Sequence, residues 1–377
     1  MYSLMLEVNH METNHPMKVL HVLGTLNAGG AESRMMDVYR KIDRRRIQFD
    51  FLIFRQDHQH YEDEVLNLGG KIFKLESPSI KRMQNHLKNM RTVMKEGQYN
   101  VVHAHTLYHC GLVLYAAYME NIPVRIAHAR NSGSARKKNR ILVYVGKKMI
   151  DRYATCRLAV SALAGEYLFG RHRFEIIPNA IDVEKYAPIS GGRMTELRKK
   201  YGIPINAIVI GHIGRFDPMK NHEFIIKWFS KYLKTHNAYM ILVGAGPLKE
   251  EIEQKTVMAG ISDRICFTGI INNVHEVVQM FSVLILPSLF EGLPGVVLEA
   301  QAAGIPAVVS LPVTDEANME LGLIKKCDFD VDEWTSAVDE SIQIERPTQE
   351  EIKKAFEKKK FSIDYEIKRL TEIYCGE

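Results

Sequence analysis

Short, almost unbroken apolar runs alternate along this chain with longer stretches in which apolar positions recur every three or four residues. The first pattern predicts buried strands and the second amphipathic helices. Residues 18–23 read as a strand, 24–30 as a loop, 31–42 as a helix and 49–54 as the next strand. Strands at 101–105 and 124–128 follow, with a helix near 111–120 between them, and strands at 158–161 and 174–177 complete the first half. A second set places strands at 207–213, 239–243, 265–267, 283–286 and 307–310. Its helices fall at 224–232, 248–259 and 296–303. Strands alternating with helices imply parallel sheets covered on both faces, and two such sets imply an α/β protein of two Rossmann-like halves.

The densest cluster of chain breakers, Pro178, Pro188, Gly191, Gly192, Gly202 and Pro204, lies between the two sets. The expected domains are 17–187 and 188–352, with a helical tail at 353–377 that crosses back to the first. Ligands bind at the carboxyl ends of strands in open parallel sheets. Two sheets facing one another would line a cleft with those ends.

At 377 residues the chain exceeds one comfortable core. The composition is globular, and a net charge of +5 leans only weakly toward anionic partners. The five cysteines are scattered and never form a C-x-x-C pair, which argues against disulfides and a structural zinc site. The first sixteen residues carry Glu7, His10, Glu12 and His15 and do not read as a signal peptide. No apolar run is long enough to span a bilayer, so a cytoplasmic protein is expected, with any membrane contact peripheral on the inner face.

Candidate chemistry sits where strands end. Residues 287–300, Pro-Ser-Leu-Phe-Glu-Gly-Leu-Pro-Gly-Val-Val-Leu-Glu-Ala, join a strand to a helix and place Glu291 and Glu299 around a Gly/Pro turn. Such a turn offers free backbone N–H groups and a positive helix end beside two acids suited to hydroxyls. Residues 24–30, Gly-Thr-Leu-Asn-Ala-Gly-Gly, also run from strand to helix, without the G-x-G-x-x-G spacing of a dinucleotide site. Arg215 and Lys220 follow the strand at 207–213 and are suited to neutralising a diphosphate. A Gly-rich turn at 244–247 is ordinary punctuation by itself. His103, His105 and His109 cluster after one strand and His128 ends another. A metal reading of the cluster lacks a nearby carboxylate set. Asp328, Asp330 and Asp332 superficially match a D-x-D metal site, but no apolar strand precedes them. Residues 136–157 interleave Arg136, Lys137, Lys138, Arg140, Lys147, Lys148, Arg152 and Arg157 with apolar residues, a pattern that suits either an anionic membrane surface or an ordinary solvated helix face. No nucleic-acid-binding motif accompanies that charge.

In this order the motifs resemble the retaining glycosyltransferases of the two-domain GT-B fold, family 4, over residues 17–310. The run Glu-Gly-Leu-Pro followed by Glu-Ala-Gln-Ala is similar to enzymes of bacterial exopolysaccharide, capsule or O-antigen assembly. The resemblance implies an acceptor-side first domain and a nucleotide-sugar-binding second domain. It implies transfer of a hexosyl or N-acetylhexosaminyl group, with retention, from a nucleotide-diphosphate sugar to a lipid-linked or oligosaccharide acceptor. UDP is the expected carrier, and no metal or other cofactor is expected. Gly29 and Gly30 would approach the donor or acceptor, and Arg215 and Lys220 would hold the diphosphate. Glu291 would meet the donor sugar's hydroxyls, Glu299 the ribose, and His128 the transferred sugar. Gly244, Gly269, Gly292, Leu293, Gly295 and Val296 would complete the donor site. Many relatives have glycine where this chain has Pro294. Proline donates no N–H, so backbone contacts to phosphate pass to Gly295 and Val296, and Pro294 is expected as a first helical residue. Two alternatives share the fold: a nucleotide-sugar epimerase and a binding protein without activity.

Overall fold

The computed structural model describes residues 16–27, 29–130 and 140–376; the first fifteen residues, Ala28, and Arg136, Lys137 and Lys138 of the basic segment lie outside them. The chain forms two compact units, one of residues up to Ile177 together with Ile367–Glu377, the other Pro178–Glu366.

The first unit runs β1 (Met17–Leu23), α1 (Gly30–Lys41), β2 (Ile47–Ile53), α2 (Glu62–Asn67), β3 (Ile72–Lys74), α3 (Met83–Gly97), β4 (Val101–Ala104), α4 (Cys110–Met119), β5 (Val124–Ala129), α5 (Arg140–Tyr153), β6 (Cys156–Ala159), α6 (Ala162–Phe169) and β7 (Glu175–Ile176). Its seven strands lie in the order β3-β2-β1-β4-β5-β6-β7, every pair parallel. The chain builds outward from β1 to β3, then returns to the other side of β1 to lay down β4. The β1/β4 junction is therefore the switch point, where a crevice opens at the carboxyl ends. Buried Leu20, Val22, Val102, Ala104, Ala127 and Ala159 supply the sheet's share of the core. Helix α4 has no polar face because it is buried on most sides, and α5 packs on it at two glycines. A Cβ on Gly111 would stand 2.3 Å from the Gly146 carbonyl oxygen, and one on Gly146 would stand 2.3 Å from that of Tyr108.

The second unit continues with α7 (Gly191–Lys200), β8 (Ile208–Ile213), α8 (His222–Tyr232), β9 (Ala238–Val243), α9 (Lys249–Met258), β10 (Ile265–Gly269), α10 (Val274–Val278), β11 (Val283–Leu286), α11 (Gly295–Ala302), β12 (Ala307–Ser310), β13 (Ile324–Cys327), α12 (Val331–Ile342) and α13 (Gln349–Lys358). The strand order β10-β9-β8-β11-β12-β13 is again wholly parallel and puts the switch point between β8 and β11. Trp228, Phe229, Tyr232 and Trp334 wedge between α8, α12 and the sheet and are essentially buried. Each such ring contributes on the order of 2–3 kcal/mol of hydrophobic stabilisation.

The last helix, α14 (Ile363–Cys375), begins in the second unit and ends in the first. Its start is tied by the Glu366 carboxylate, which accepts the Ala180 N–H at 3.1 Å. Its end is tied by Arg369, which grips Glu175 with two nitrogens at 2.6 and 3.0 Å. The doubly wound architecture and the returning tail expected from the sequence are thus present.

Three local expectations change. Pro294 is the residue before α11, with extended backbone, and Gly295 is the first helical residue. The acidic run after residue 327 does follow a strand, β13, whose Ile-Lys-Lys-Cys sequence hides the pattern. There Asp330 accepts the N–H groups of Asp332 and Glu333, both at 2.9 Å, and so caps α12. His109 does not join His103 and His105; it packs on Phe54 and His86, with ring centroids 5.1 and 5.3 Å away.

Candidate active site

In the second unit, four loops at the carboxyl ends of β8 to β11 are stitched into one surface by backbone hydrogen bonds. Gly214 N–H donates to the Val243 carbonyl at 3.0 Å, and Gly244 N–H to that of Gly269 at 3.0 Å. Phe216 N–H reaches Ala245 at 3.1 Å, and Leu289 N–H reaches Met219 at 2.8 Å. Gly244 is required here: its φ is +136°, and a Cβ would lie 2.0 Å from the Gly214 carbonyl oxygen. The turn after β8 is shaped by Asp217, whose carboxylate accepts the Met219 N–H at 3.0 Å ahead of Pro218.

That turn delivers Lys220 to Glu291, Nζ to Oε1 at 2.5 Å, with the two side chains only 18% and 16% exposed. The residues are 71 positions apart, so the pair exists only because β11 lies beside β8. An ammonium has three N–H donors, and the one spent on Glu291 leaves two. Arg215, on the same turn, is exposed. Beneath Lys220, a Cβ on Gly214 would stand 3.0 Å from His212 Nε2 and 3.2 Å from Lys220 Cδ, so glycine lets the lysine stem pass. His212 lies 3.0 Å, through Nδ1, from the Ile285 carbonyl oxygen. A carbonyl only accepts, so Nδ1 carries the proton. Burial holds its pKa well below the usual histidine value, with His222 and Lys220 adding repulsion. His222, stacked on Phe216, is lowered to about 4, again mainly by burial.

Gly292, Leu293, Gly295, Val296 and Glu299 are half-buried along the turn and first turns of α11. Among the described residues no side chain caps α11, and none stands within 4 Å of a Cβ built on Gly295. The N–H groups of Gly295 and Val296 therefore belong to the open, positive end of a helix. Gly269 closes β10 with φ +69°.

The first unit brings its candidates to the ends of β1, β4 and β5. Gly29 is the residue before α1, where a Cβ would stand 2.5 Å from Glu32 Oε2; Gly30 is the first helical residue. Gln59, fully buried, holds this loop: its Oε1 accepts from Thr25 Oγ1 at 2.5 Å. The His60 N–H donates to Asn27 Oδ1 at 3.1 Å. Glu32, half-buried, has its pKa raised by burial, opposed by its own backbone N–H and by Arg130.

Beside this loop, four imidazoles stand together. His21 Nδ1 lies 3.1 Å from His105 Nε2, and Arg130 Nε donates to His105 Nδ1 at 3.2 Å. His103 Nε2 lies 3.0 Å from His128 Nδ1, and His103 Nδ1 lies 2.8 Å from the hydroxyl of Tyr374 on α14. Burial drives all four pKa values down, that of His21 to about 3, and Arg130 pushes the same way. The rings are therefore neutral at physiological pH. His21, His103 and His105 place ring nitrogens within 4.8 Å of one another, near enough to surround a metal ion. Each of those rings already has a hydrogen-bond partner, a guanidinium stands against one of them, and no carboxylate completes the group among the described residues.

Sequence reasoning named His103, His105 and His128 but missed His21, Gln59, Arg130 and Tyr374 as neighbours. The signal for His21 was available: it sits in the buried, otherwise apolar run Val19–Leu23 of β1, where a polar residue needs a partner.

Helix α5 shows Ile141 (71% exposed), Tyr144 and Val145 to solvent beside Arg140, Lys148 and Arg152. Lys147 is not part of that face, since its ammonium donates to the Tyr167 carbonyl.

A family model described as "Glycosyl transferases group 1" matches residues 193–359, and one described as "Glycosyltransferase Family 4" matches residues 28–185. A Bacillus subtilis (strain 168) protein named as the glycosyltransferase EpsF is 34% identical over 370 residues, 95% of this chain and 96% of that one. The Escherichia coli UDP-Gal:alpha-D-GlcNAc-diphosphoundecaprenol alpha-1,3-galactosyltransferase is 28% identical over 254 residues, 62% of this chain and 65% of its own. The crystal structure of Anabaena Alr3699/HepE in complex with UDP-glucose superposes with a TM-score of 0.77 at 18% identity, over 96% of this chain and all of that one. With two family models in tandem and a relative similar along nearly its whole length, the chain belongs to the group 1 glycosyl transferases, family 4.

Proposed function

We propose that this glycosyltransferase moves a sugar, with retention, from a UDP-sugar to a lipid-linked or oligosaccharide acceptor in bacterial surface polysaccharide synthesis. The observation that carries the reading is the Lys220–Glu291 pair at the β8/β11 switch point, with Arg215 on the same turn and the uncapped α11 amides beside it. The sugar-nucleotide donors named for the E. coli galactosyltransferase and for HepE support UDP as carrier.

In this reading the second domain (188–352) holds the donor, the first (17–187) serves the acceptor, and 353–377 is the returning tail. The two remaining N–H donors of Lys220, the Arg215 guanidinium and the amides of Gly295 and Val296 bind the diphosphate. They stabilise the charge that builds on it as the glycosidic bond breaks. Glu291 stays beside Lys220 and accepts from hydroxyls of the transferred sugar, while Glu299 accepts from the ribose. Gly244 gives the backbone room where a Cβ would intrude, Gly269 allows the positive φ that ends β10, and Gly292 and Leu293 shape the turn. Gly29 and Gly30 border the acceptor side, and His128 meets the transferred sugar. The phosphate oxygen nearest the acceptor receives its proton, so the chain need supply no covalent nucleophile and the cations need no divalent ion. No described helix is long and apolar enough to cross a membrane. The exposed basic and apolar face of α5 makes a peripheral contact with anionic lipid, which brings a lipid-linked acceptor within reach. Changing Lys148 and Arg152 to Glu should lower co-sedimentation with phosphatidylglycerol vesicles. Unchanged binding would leave the face as ordinary solvated surface.

The deciding experiment incubates the enzyme with UDP-sugars, with and without a polyprenyl-diphosphate-linked acceptor, and reads the product's anomeric configuration by NMR. Transfer with the donor's configuration, together with a Tm raised by UDP, is the expected result. An inverted product overturns retention, and an epimerised sugar nucleotide formed without acceptor overturns transfer itself.

A further inference from the structure

Tyr374 is 2% exposed, near the end of α14, and its hydroxyl is 2.8 Å from His103 Nδ1. On the far side of the His103 ring, Nε2 is 3.0 Å from His128 Nδ1, with the ring centroids 5.1 Å apart and the planes 7° from parallel, so the two rings meet edge to edge. The remaining nitrogen, His128 Nε2, is buried and has no hydrogen-bond partner among the described residues.

A neutral imidazole has one N–H and one acceptor nitrogen, and two facing nitrogens share one proton. The direction of the first hydrogen bond therefore fixes every later one. If the Tyr374 hydroxyl donates to His103 Nδ1, then His103 is protonated at Nε2. It then donates to His128 Nδ1, and His128 must carry its proton on Nε2. If the hydroxyl accepts, all three assignments reverse and His128 Nε2 presents a lone pair. An imidazole nitrogen is a far stronger acceptor than a phenolic oxygen, which favours the first arrangement. A neighbouring run of hydrogen bonds has the same layout with no ambiguity. Arg130 has no acceptor, so its bond to His105 Nδ1 puts the His105 proton on Nε2, facing His21 Nδ1.

We infer that Tyr374 and His103 are positioning residues that fix the tautomer of His128, the Tyr374 hydroxyl donating, so that His128 offers Nε2–H to an oxygen of the transferred sugar. The inference rests on the reading of His128 as the residue that meets that sugar. The returning tail then has a chemical role, because its last turns set the polarity of a hydrogen-bond relay that ends at an unpartnered ring nitrogen.

The test is long-range proton–nitrogen NMR of the full chain labelled with ¹⁵N-histidine, assigned with the His103→Gln and His128→Gln variants. In the unmodified protein His128 should be protonated at Nε2. In Tyr374→Phe, which keeps the ring and loses the hydroxyl, the His103 and His128 spectra should change to mixed tautomers. The same variant should lower kcat roughly threefold to tenfold, the worth of one hydrogen bond, with UDP affinity and the donor KM unchanged. A proton on His128 Nδ1 in the unmodified protein, or an unaltered His128 spectrum in Tyr374→Phe, overturns the relay. Full activity in His128→Ala would instead overturn the reading of His128 while leaving the NMR result intact, so the two failures are distinguishable.

Discussion

The two units have the same doubly wound topology and put polar groups at the same place, the carboxyl ends of the strands around the switch point, but they fill that place oppositely. The second uses fixed charges: Lys220 paired with Glu291, and Arg215 exposed on the same turn. The first uses neutral rings, buried His21, His103 and His128 and half-buried His105, ordered by hydrogen bonds. A charge attracts a diphosphate at a distance and tolerates imperfect geometry. A neutral N–H is weaker but directional, and its polarity depends on which partner donates. The topology thus provides a position, and the residues on it decide between binding by charge and orienting by hydrogen bond.

The sharpest way to break this comparison is Lys220→Ala. If charge at the second unit neutralises the leaving diphosphate, kcat should fall by about 10²–10³, the usual cost of removing a donor that stabilises developing charge. Lys220→Arg should recover part of the loss, because the cation and its reach to Glu291 remain. A kcat within a factor of three of the unmodified enzyme for Lys220→Ala, in a steady-state assay, would remove the distinction between the units.

How much of this was readable in the sequence depended on distance along the chain. Val283–Leu286 and Ala307–Ser310 were legible because strands buried on both faces are continuously apolar. Edge strands β3 (Ile-Phe-Lys) and β13 (Ile-Lys-Lys-Cys) were not, being short and half-solvated. Helix α3 escaped for a related reason: only His86, Met90 and Met94 of its fifteen residues are buried. The stretch from Glu291 to Glu299 was legible as a strand-to-helix turn because the whole of it is local. The Lys220–Glu291 pair was not, although each residue was named, since nothing in one segment reports the other. The bond between His103 and Tyr374 spans 271 positions and depends on the tail's return.

The second prediction concerns the cost of burying neutral rings. His21 titrates near 3 in the fold against 6.5 in the unfolded chain, because burial penalises its charged form. The unfolded state then binds the extra proton, so stability is complete above about pH 6.5 and is lost as pH falls toward 3. His103, His105 and His128 are lowered in the same direction. For His21 alone the loss between pH 7 and pH 5 is about 2 kcal/mol. His21→Phe keeps a ring against Phe49 and Phe51 and removes that titration, while costing His105 a partner. Its unfolding free energy should therefore start lower at pH 7 but fall about 2 kcal/mol less on going to pH 5. Urea unfolding of both proteins at the two pH values measures this; equal falls would mean that His21 is protonated in the folded state.

The smallest effect separates charge from shape on the charged side. Asp217 accepts the Met219 N–H and so sets the turn that carries Arg215 and Lys220. Asparagine accepts the same bond without the charge, whereas alanine does not. If the turn matters through its shape, Asp217→Ala should weaken UDP binding by about fivefold, the equivalent of ~1 kcal/mol for a lost cap, and Asp217→Asn should be near neutral. If the carboxylate acts instead as one more charge beside the two cations, both variants remove a repulsion with the diphosphate and both should bind UDP more tightly. Calorimetric titration of UDP into the two variants distinguishes these outcomes. Tighter binding in both would place the directional, shape-dependent element in the first unit alone, whereas loss confined to alanine would mean that the charged side also depends on a single oriented hydrogen bond.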